Sequence, residues 1–276
     1  MCRTKAVPKA LKLGLAIIFD TMNNPIVLLS PSKGMGTFPS NAPYVGSAPV
    51  PFKAETAAIV AAVQGLSEAE QKTLFKVSDS LFTSVQNIWS LDKKQYIDPS
   101  QGLPGLFAYT GEAFKSFDAY SLGPNALQRA KNSLAIISGL YGVVNGDMNI
   151  VPYRLEMQSR LSVGDHKNLY ALWKPLLTKW LNKQEAGFAV NLCSTEYAKA
   201  FDWKSVTMPT IHVDFKQMKN GEQKSISAFS KQARGLMARW IFKENIQTIF
   251  GLASFDLDGY RLYSHEGDHM VFLREG

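Results

Sequence analysis

The sequence predicts a mixed α/β (α+β) fold in a single compact domain, and three observations predict it. Short continuous apolar runs, Ile26-Val27-Leu28-Leu29, Leu134-Ala135-Ile136-Ile137 and Phe188 to Leu192, read as buried strands. Stretches with apolar residues at helical spacing lie between them. Apolar blocks continue from residue 26 to residue 276 with no linker, internal repeat or low-complexity segment, so residues 26–276 are expected to share one core.

Taken in order, residues 1–25 are expected to be an extension. Leu13 to Phe19 weakly imitates a signal peptide, but Asp20 ends the run and no small-residue cleavage site follows; Met22 would be a natural start. Ser30-Pro31-Ser32-Lys33-Gly34 leaves the first strand and offers an anion site through backbone N–H groups and an ammonium, without the Gly-x4-Gly-Lys spacing of a phosphate-binding loop. The proline-rich residues 36–53 read as a loop, and Lys53 to Gln64 as a helix. Ser67-Glu68-Ala69-Glu70 is a capping-box pattern, and Leu74, Val77, Ser78, Leu81, Phe82 and Val85 carry helical spacing on from it. Leu106 to Tyr109 reads as a strand, and Pro124 as the first residue of a helix. Lys167 to Gln184 carries an apolar stripe that includes Trp173 and Trp180, with a kink expected at Pro175. Ser194-Thr195-Glu196 caps the next helix. Thr210 to Phe215 alternates, Asn220-Gly221 turns a hairpin into Lys224 to Ala228, and Lys231 to Ile246 is a helix with Leu236, Met237, Trp240 and Ile241 inward.

The net charge is +7, and its distribution matters more than its size. Arg154 to Lys243 holds 15 Lys/Arg against 7 Asp/Glu, a surplus of eight, while the rest of the chain is close to neutral. A clustered positive field suits a polyanion such as nucleic acid; it also serves solubility alone. Cys2 and Cys193 are too few for a disulfide framework, and Cys193 reads as a reduced core thiol. No apolar run approaches the roughly 18 residues that span a bilayer.

The densest stretch is Ser138 to Met157. Ser138-Gly139-Leu140-Tyr141-Gly142 marks a tight turn and Asn145-Gly146-Asp147 a second. In Tyr153-Arg154-Leu155-Glu156-Met157 the charges alternate with apolar residues, as in a strand with its charges on one face. Gly-Leu-Tyr-Gly-Val, eight residues, then Pro-Tyr-Arg-Leu-Glu-Met resembles the signature of the bacterial YaaA family of peroxide stress resistance proteins. Leu29 to Met35, Ala108 to Phe114, Asn191 to Tyr197, Lys231 to Arg239 and Phe255 to Tyr260 fall in that family's order, so the resemblance covers nearly the whole chain.

The resemblance implies a cytoplasmic protein of the peroxide stress response that limits damage associated with free intracellular iron. It implies a family-specific topology with a basic cleft and a helix-hairpin-helix-like element, and double-stranded or structured DNA bound without sequence preference. Gly139, Tyr141 and Gly142 are the candidate hairpin; Lys33, Arg154, Arg160, Lys231, Arg234 and Arg239 are candidate phosphate contacts. Asn145-Gly146-Asp147-Met148 departs from the family's usual Arg-Pro-x-Asp and removes one cation there.

Ser30, Lys33, Arg154, Glu156, Ser194, Glu196 and Tyr197 stand mostly at strand ends, positions that converge at one rim of a sheet. A second reading follows from them: an enzyme acting on a small anionic substrate, with Lys33 and Arg154 as clamps and Glu156 or Glu196 as acid or base. No nucleophile elbow, histidine base or cofactor motif is present, so no cofactor is expected. His265-Glu266-Gly267-Asp268-His269 matches the zinc pattern His-Glu-x-x-His in letters only. β-like runs flank it, and on a hairpin the two imidazoles do not share a helix face, so no metal is expected.

Overall fold

In the computed structural model, which describes residues 24–36 and 41–275, β1 (Ile26–Leu29) is an interior strand of the main sheet. All four of its residues are buried, as are all of β3 (Leu134–Ser138) and β6 (Ala189–Leu192). Strands apolar on both faces are stable only when both faces are covered, which is why these runs are continuous rather than alternating. The remaining strands are β2 (Leu103–Pro104), β4 (Gly142–Asn145), β5 (Asn149–Ile150), β7 (Thr210–Lys219), β8 (Glu222–Lys224), β9 (Arg261–Glu266) and β10 (His269–Arg274). The main sheet has the order β4-β3-β1-β6-β7-β10-β9, with β8 paired to β7; β2 and β5 pair separately. Its five middle strands are parallel, and β4, β8 and β9 join antiparallel.

The helices are α1 (Lys53–Gln64), α2 (Glu68–Phe75), α3 (Asp79–Trp89), α4 (Lys93–Ile97), α5 (Gly105–Ala108), α6 (Glu112–Phe117), α7 (Pro124–Ser133), α8 (Leu169–Leu181), α9 (Thr195–Ala198), α10 (Ser227–Lys243) and α11 (Ile249–Leu252). Helix α10 packs on α6, α7, β7 and β1, and α8 on β4. One hydrophobic core runs through all of these, so the described chain is a single mixed α/β domain. The capping box at Ser67 forms, Pro124 opens α7, and α8 passes through Pro175 with Leu169, Leu172, Trp173, Leu177 and Leu181 buried.

Several expectations are corrected. The helical stripe after Ser67 is two helices, not one: Lys76 adopts left-handed backbone (φ 48°) and ends α2 before Ser78 starts α3. Leu106 to Ala108 is helical, not extended. Tyr153 to Met157 keeps its alternating burial but joins no ladder. Strand β8 stops at Lys224, and α10 begins at Ser227. The turn put forward as the hairpin of a helix-hairpin-helix-like element joins two strands, β3 and β4. The expected N-terminal extension lies outside the described residues up to position 23. Among the described residues, no helix is long and apolar enough to cross a membrane.

Candidate functional site

β1 pairs with β3 on one side and β6 on the other. The chain leaves β1 toward β3 and leaves β6 toward β7, so the two connections diverge. In open parallel sheets a crevice forms beyond the carboxyl ends of the strands at such a point. Here the segments leaving the two strands are Ser30 to Gly34 and Cys193 to Ser194. Ser30 Oγ donates to Ser194 Oγ at 3.3 Å and accepts from the Ser194 N–H at 2.9 Å, which fixes one segment against the other. The Ser194 hydroxyl therefore serves this contact and does not cap α9. Ser32 Oγ donates to the Gly34 carbonyl and accepts from the Gly111 N–H at 3.0 Å, holding the start of α6 to the same rim.

The glycine turn positions the third wall. A Cβ on Gly139 would lie 2.6 Å from the Leu155 carbonyl oxygen, so only glycine lets residues 154–156 lie against the turn. Ser138 Oγ meets Tyr153 Oη at 2.7 Å, and Tyr109 Oη meets it at 2.9 Å, which anchors that segment beneath the rim. Tyr141 is fully buried and Gly142 packs against Trp173, so these residues support the site rather than line it.

The result is a pocket of about 360 Å³. Ser30, Lys33, Arg154, Glu156, Ser194, Glu196 and Tyr197 all line it, joined by Lys231 and Arg234 from α10. Arg160 is exposed outside it. Arg239 is engaged elsewhere: its guanidinium donates to the carbonyls of Phe117 (3.0 Å) and Asp118 (2.7 Å) and to Ser121 Oγ (2.8 Å). Ser32, Thr110, Glu112, Lys115 and Tyr153 also line the pocket and were not singled out as site residues from the sequence. Their signal was weak: Thr110-Gly111-Glu112 stands beside a run whose secondary structure the sequence misassigns.

The five cations in the pocket wall divide into two kinds. Lys33 Nζ lies 2.6 Å from Glu156 and Lys115 Nζ lies 2.8 Å from Glu112. Among the described residues Arg154, Lys231 and Arg234 have no carboxylate at ion-pair distance, and the Nε atoms of Arg154 and Arg234 are buried with no hydrogen-bond partner. A buried donor left unpaired costs about 1–3 kcal/mol, and more when it is charged. Burial pulls the Arg234 guanidinium below its ordinary range, against the opposing influence of Cys193 and Asp214.

The carboxylates are tuned in opposite directions. Burial raises Glu196, and the nearby Glu156 charge adds to that, while the Gln158 N–H at 3.2 Å works the other way. Burial also acts to raise Glu156, but the hydrogen bonds from Lys33 and Gln158 and the charges of Lys33 and Arg154 outweigh it and hold that carboxyl low. Cys193, directly beneath, is pushed up to about 12 by burial.

The His-Glu-x-x-His match sits on the β9–β10 hairpin, where His265 faces Met270 and His269 faces Glu266 across the ladder. Among the described residues, no group of three or more His, Cys, Asp or Glu is placed to hold a metal ion.

Residues 26–266 match the family described as peroxide stress protein YaaA. The chain belongs to this family. A protein of Flavobacterium johnsoniae is 34% identical over 252 residues, covering 90% of this chain and 99% of the relative. One from Alteromonas mediterranea is 35% identical (90% and 98%), and one from Shewanella oneidensis 36% identical (91% and 99%). All three carry the description UPF0246 protein. The matched span of this YaaA-family chain includes every segment that builds the pocket, from Ser30 to Arg234.

Proposed function

We propose that this YaaA-family protein acts in the cytoplasm as a DNA-binding protein of the peroxide stress response, limiting damage associated with free intracellular iron. The observation that carries the DNA reading is the gathering of Arg154, Lys231 and Arg234, three cations with no carboxylate at ion-pair distance among the described residues, in the third of the chain that holds the positive surplus. Lys33 and Lys115 stand at the same rim with side chains 62% and 66% exposed. Ammonium and guanidinium groups meeting phosphates fix a duplex in place and read no bases, so the binding is without sequence preference. In this reading the Ser138–Gly142 turn supports residues 153–156 and makes no phosphate contact. Titration of a labelled duplex at several salt concentrations, with wild-type protein and Arg234→Ala, tests it.

A second reading is favoured by one observation: Glu196 and Glu156 share one pocket wall and are pushed in opposite directions, Glu196 raised and Glu156 lowered. Paired groups pushed apart in this way suit acid–base chemistry on a small anionic substrate. The two readings part at Arg154→Ala. A duplex loses one contact among several, whereas a small anion loses the clamp that holds it.

A further inference from the structure

We propose that the pocket between β1 and β6 binds the dianionic phosphate of a phosphomonoester, held between the guanidinium groups of Arg154 and Arg234. The inference rests on the pocket being an anion site and goes further by naming the anion. Charge decides the class. The wall carries five cations and three carboxylates, a surplus of two. Two of the carboxylates are ion-paired with Lys33 and Lys115, which leaves Arg154, Lys231 and Arg234 without a carboxylate at ion-pair distance among the described residues. A phosphomonoester carries about −1.5 to −2 at pH 7, which matches that surplus. A phosphodiester inside a DNA strand carries one negative charge and leaves the surplus half-compensated.

Geometry agrees with charge. Each arginine has a buried Nε–H without an acceptor, and a guanidinium presents its donors as a planar fork suited to two phosphate oxygens. The Ser194 hydroxyl accepts from Ser30 and keeps its own proton to donate. At about 360 Å³ the pocket is larger than a phosphate group, and Leu29, Pro31, Ala113 and Leu155 give its remaining wall an apolar character that suits the organic part of an ester. The monoester has two possible sources, a phosphorylated small molecule or the phosphorylated end of a nucleic-acid strand, and both present the same group.

Calorimetric titration of the full chain with phenyl phosphate, diphenyl phosphate and malonate separates the outcomes, with thermal unfolding to verify that each variant is folded. The proposal expects saturable phenyl phosphate binding, at least about tenfold weaker binding of the diester, and a loss of roughly tenfold or more in Arg154→Lys and Arg234→Lys, which keep the charge but not the fork. Equal binding of monoester and diester, or lysine variants that bind as well as wild type, overturns it. Malonate binding without phenyl phosphate binding overturns the phosphate assignment and leaves the small-anion reading standing. No binding of any of the three by folded protein removes both. A short strand with and without a 5′-phosphate identifies the source: a preference for the phosphorylated strand assigns the end of a nucleic acid, and none, with phenyl phosphate bound, assigns a small molecule.

Discussion

Arg234 and Arg239 stand five residues apart on α10 and do different work. A helix turns about 100° per residue, so five residues carry Arg239 well round from Arg234, out of the pocket and onto the turn after α6. Two of its three hydrogen bonds satisfy the backbone carbonyls of Phe117 and Asp118, where Asp118 adopts left-handed backbone, and the third goes to Ser121 Oγ. Arg239→Ala is therefore expected to lower stability by about 1.5–3 kcal/mol, the range for hydrogen bonds to a charged group, in a urea unfolding series. It should leave ligand binding by the folded protein unchanged. Cys193 gives a second prediction at this scale. A thiol pushed up to about 12 has almost no thiolate at neutral pH, and the thiolate is the form that peroxide and alkylating agents attack. In a Cys2→Ser chain, thiol titration after native exposure to hydrogen peroxide should recover Cys193 reduced; rapid loss of the thiol without unfolding would contradict this.

At the scale of elements, α10 and α6 approach closely at Gly235. A Cβ on Gly235 would lie 1.9 Å from the Ala113 carbonyl oxygen, a backbone atom that cannot swing aside. Gly235→Ala must push the helices apart, and overpacking of this kind typically costs about 1–3 kcal/mol. Because Ala113, Lys231 and Arg234 line the pocket, the same variant should weaken anion binding even where it remains folded; a wild-type thermal midpoint would show that the approach is looser than described. The sequence made most elements legible where a local rule decides them: the capping box at Ser67, Pro124 at a helix start, and Asn220-Gly221 with positive φ at both residues of a hairpin. It misled where the deciding partner is distant. Four apolar residues from Leu106 are too few to separate period two from period 3.6, and the run closes as a helical turn beside the β2–β5 pair. Alternation at 153–157 gave the correct buried side chains, yet a strand also needs a neighbour. Tyr153 N–H finds Met35 Sδ instead, at 3.3 Å.

At the scale of the whole molecule, the site residues were legible as types but only partly as a constellation. Ser30, Lys33, Arg154, Glu156, Ser194, Glu196 and Tyr197 come from three separate segments, and strand-end positions implied a common rim. Helix α10 adds Lys231 and Arg234 to it; their three-residue spacing puts them on one face and turns Arg239 away, but only the packing of α10 shows that this face meets the rim. The last prediction belongs to this scale, because DNA binding sums charges from the entire face. Phosphate neutralisation releases counterions, so the slope of log affinity against log salt should be about −0.9 per contact. Lys33, Arg154, Arg160, Lys231 and Arg234 acting together would give a slope of roughly −4.5 on duplex DNA. Arg234→Ala should weaken binding similarly for unrelated sequences and flatten the slope by about 1, whereas Arg239→Ala should leave the slope as it is. A flattening at Arg239 equal to that at Arg234 would place the duplex along the far side of α10 and detach it from the pocket. Duplex affinity that is undetectable near physiological salt, or unaltered when Lys231 and Arg234 are both neutralised, would sink the DNA reading and leave the pocket to a small anion, because a cavity of this size can hold a phosphate group with no contribution from a surrounding basic face.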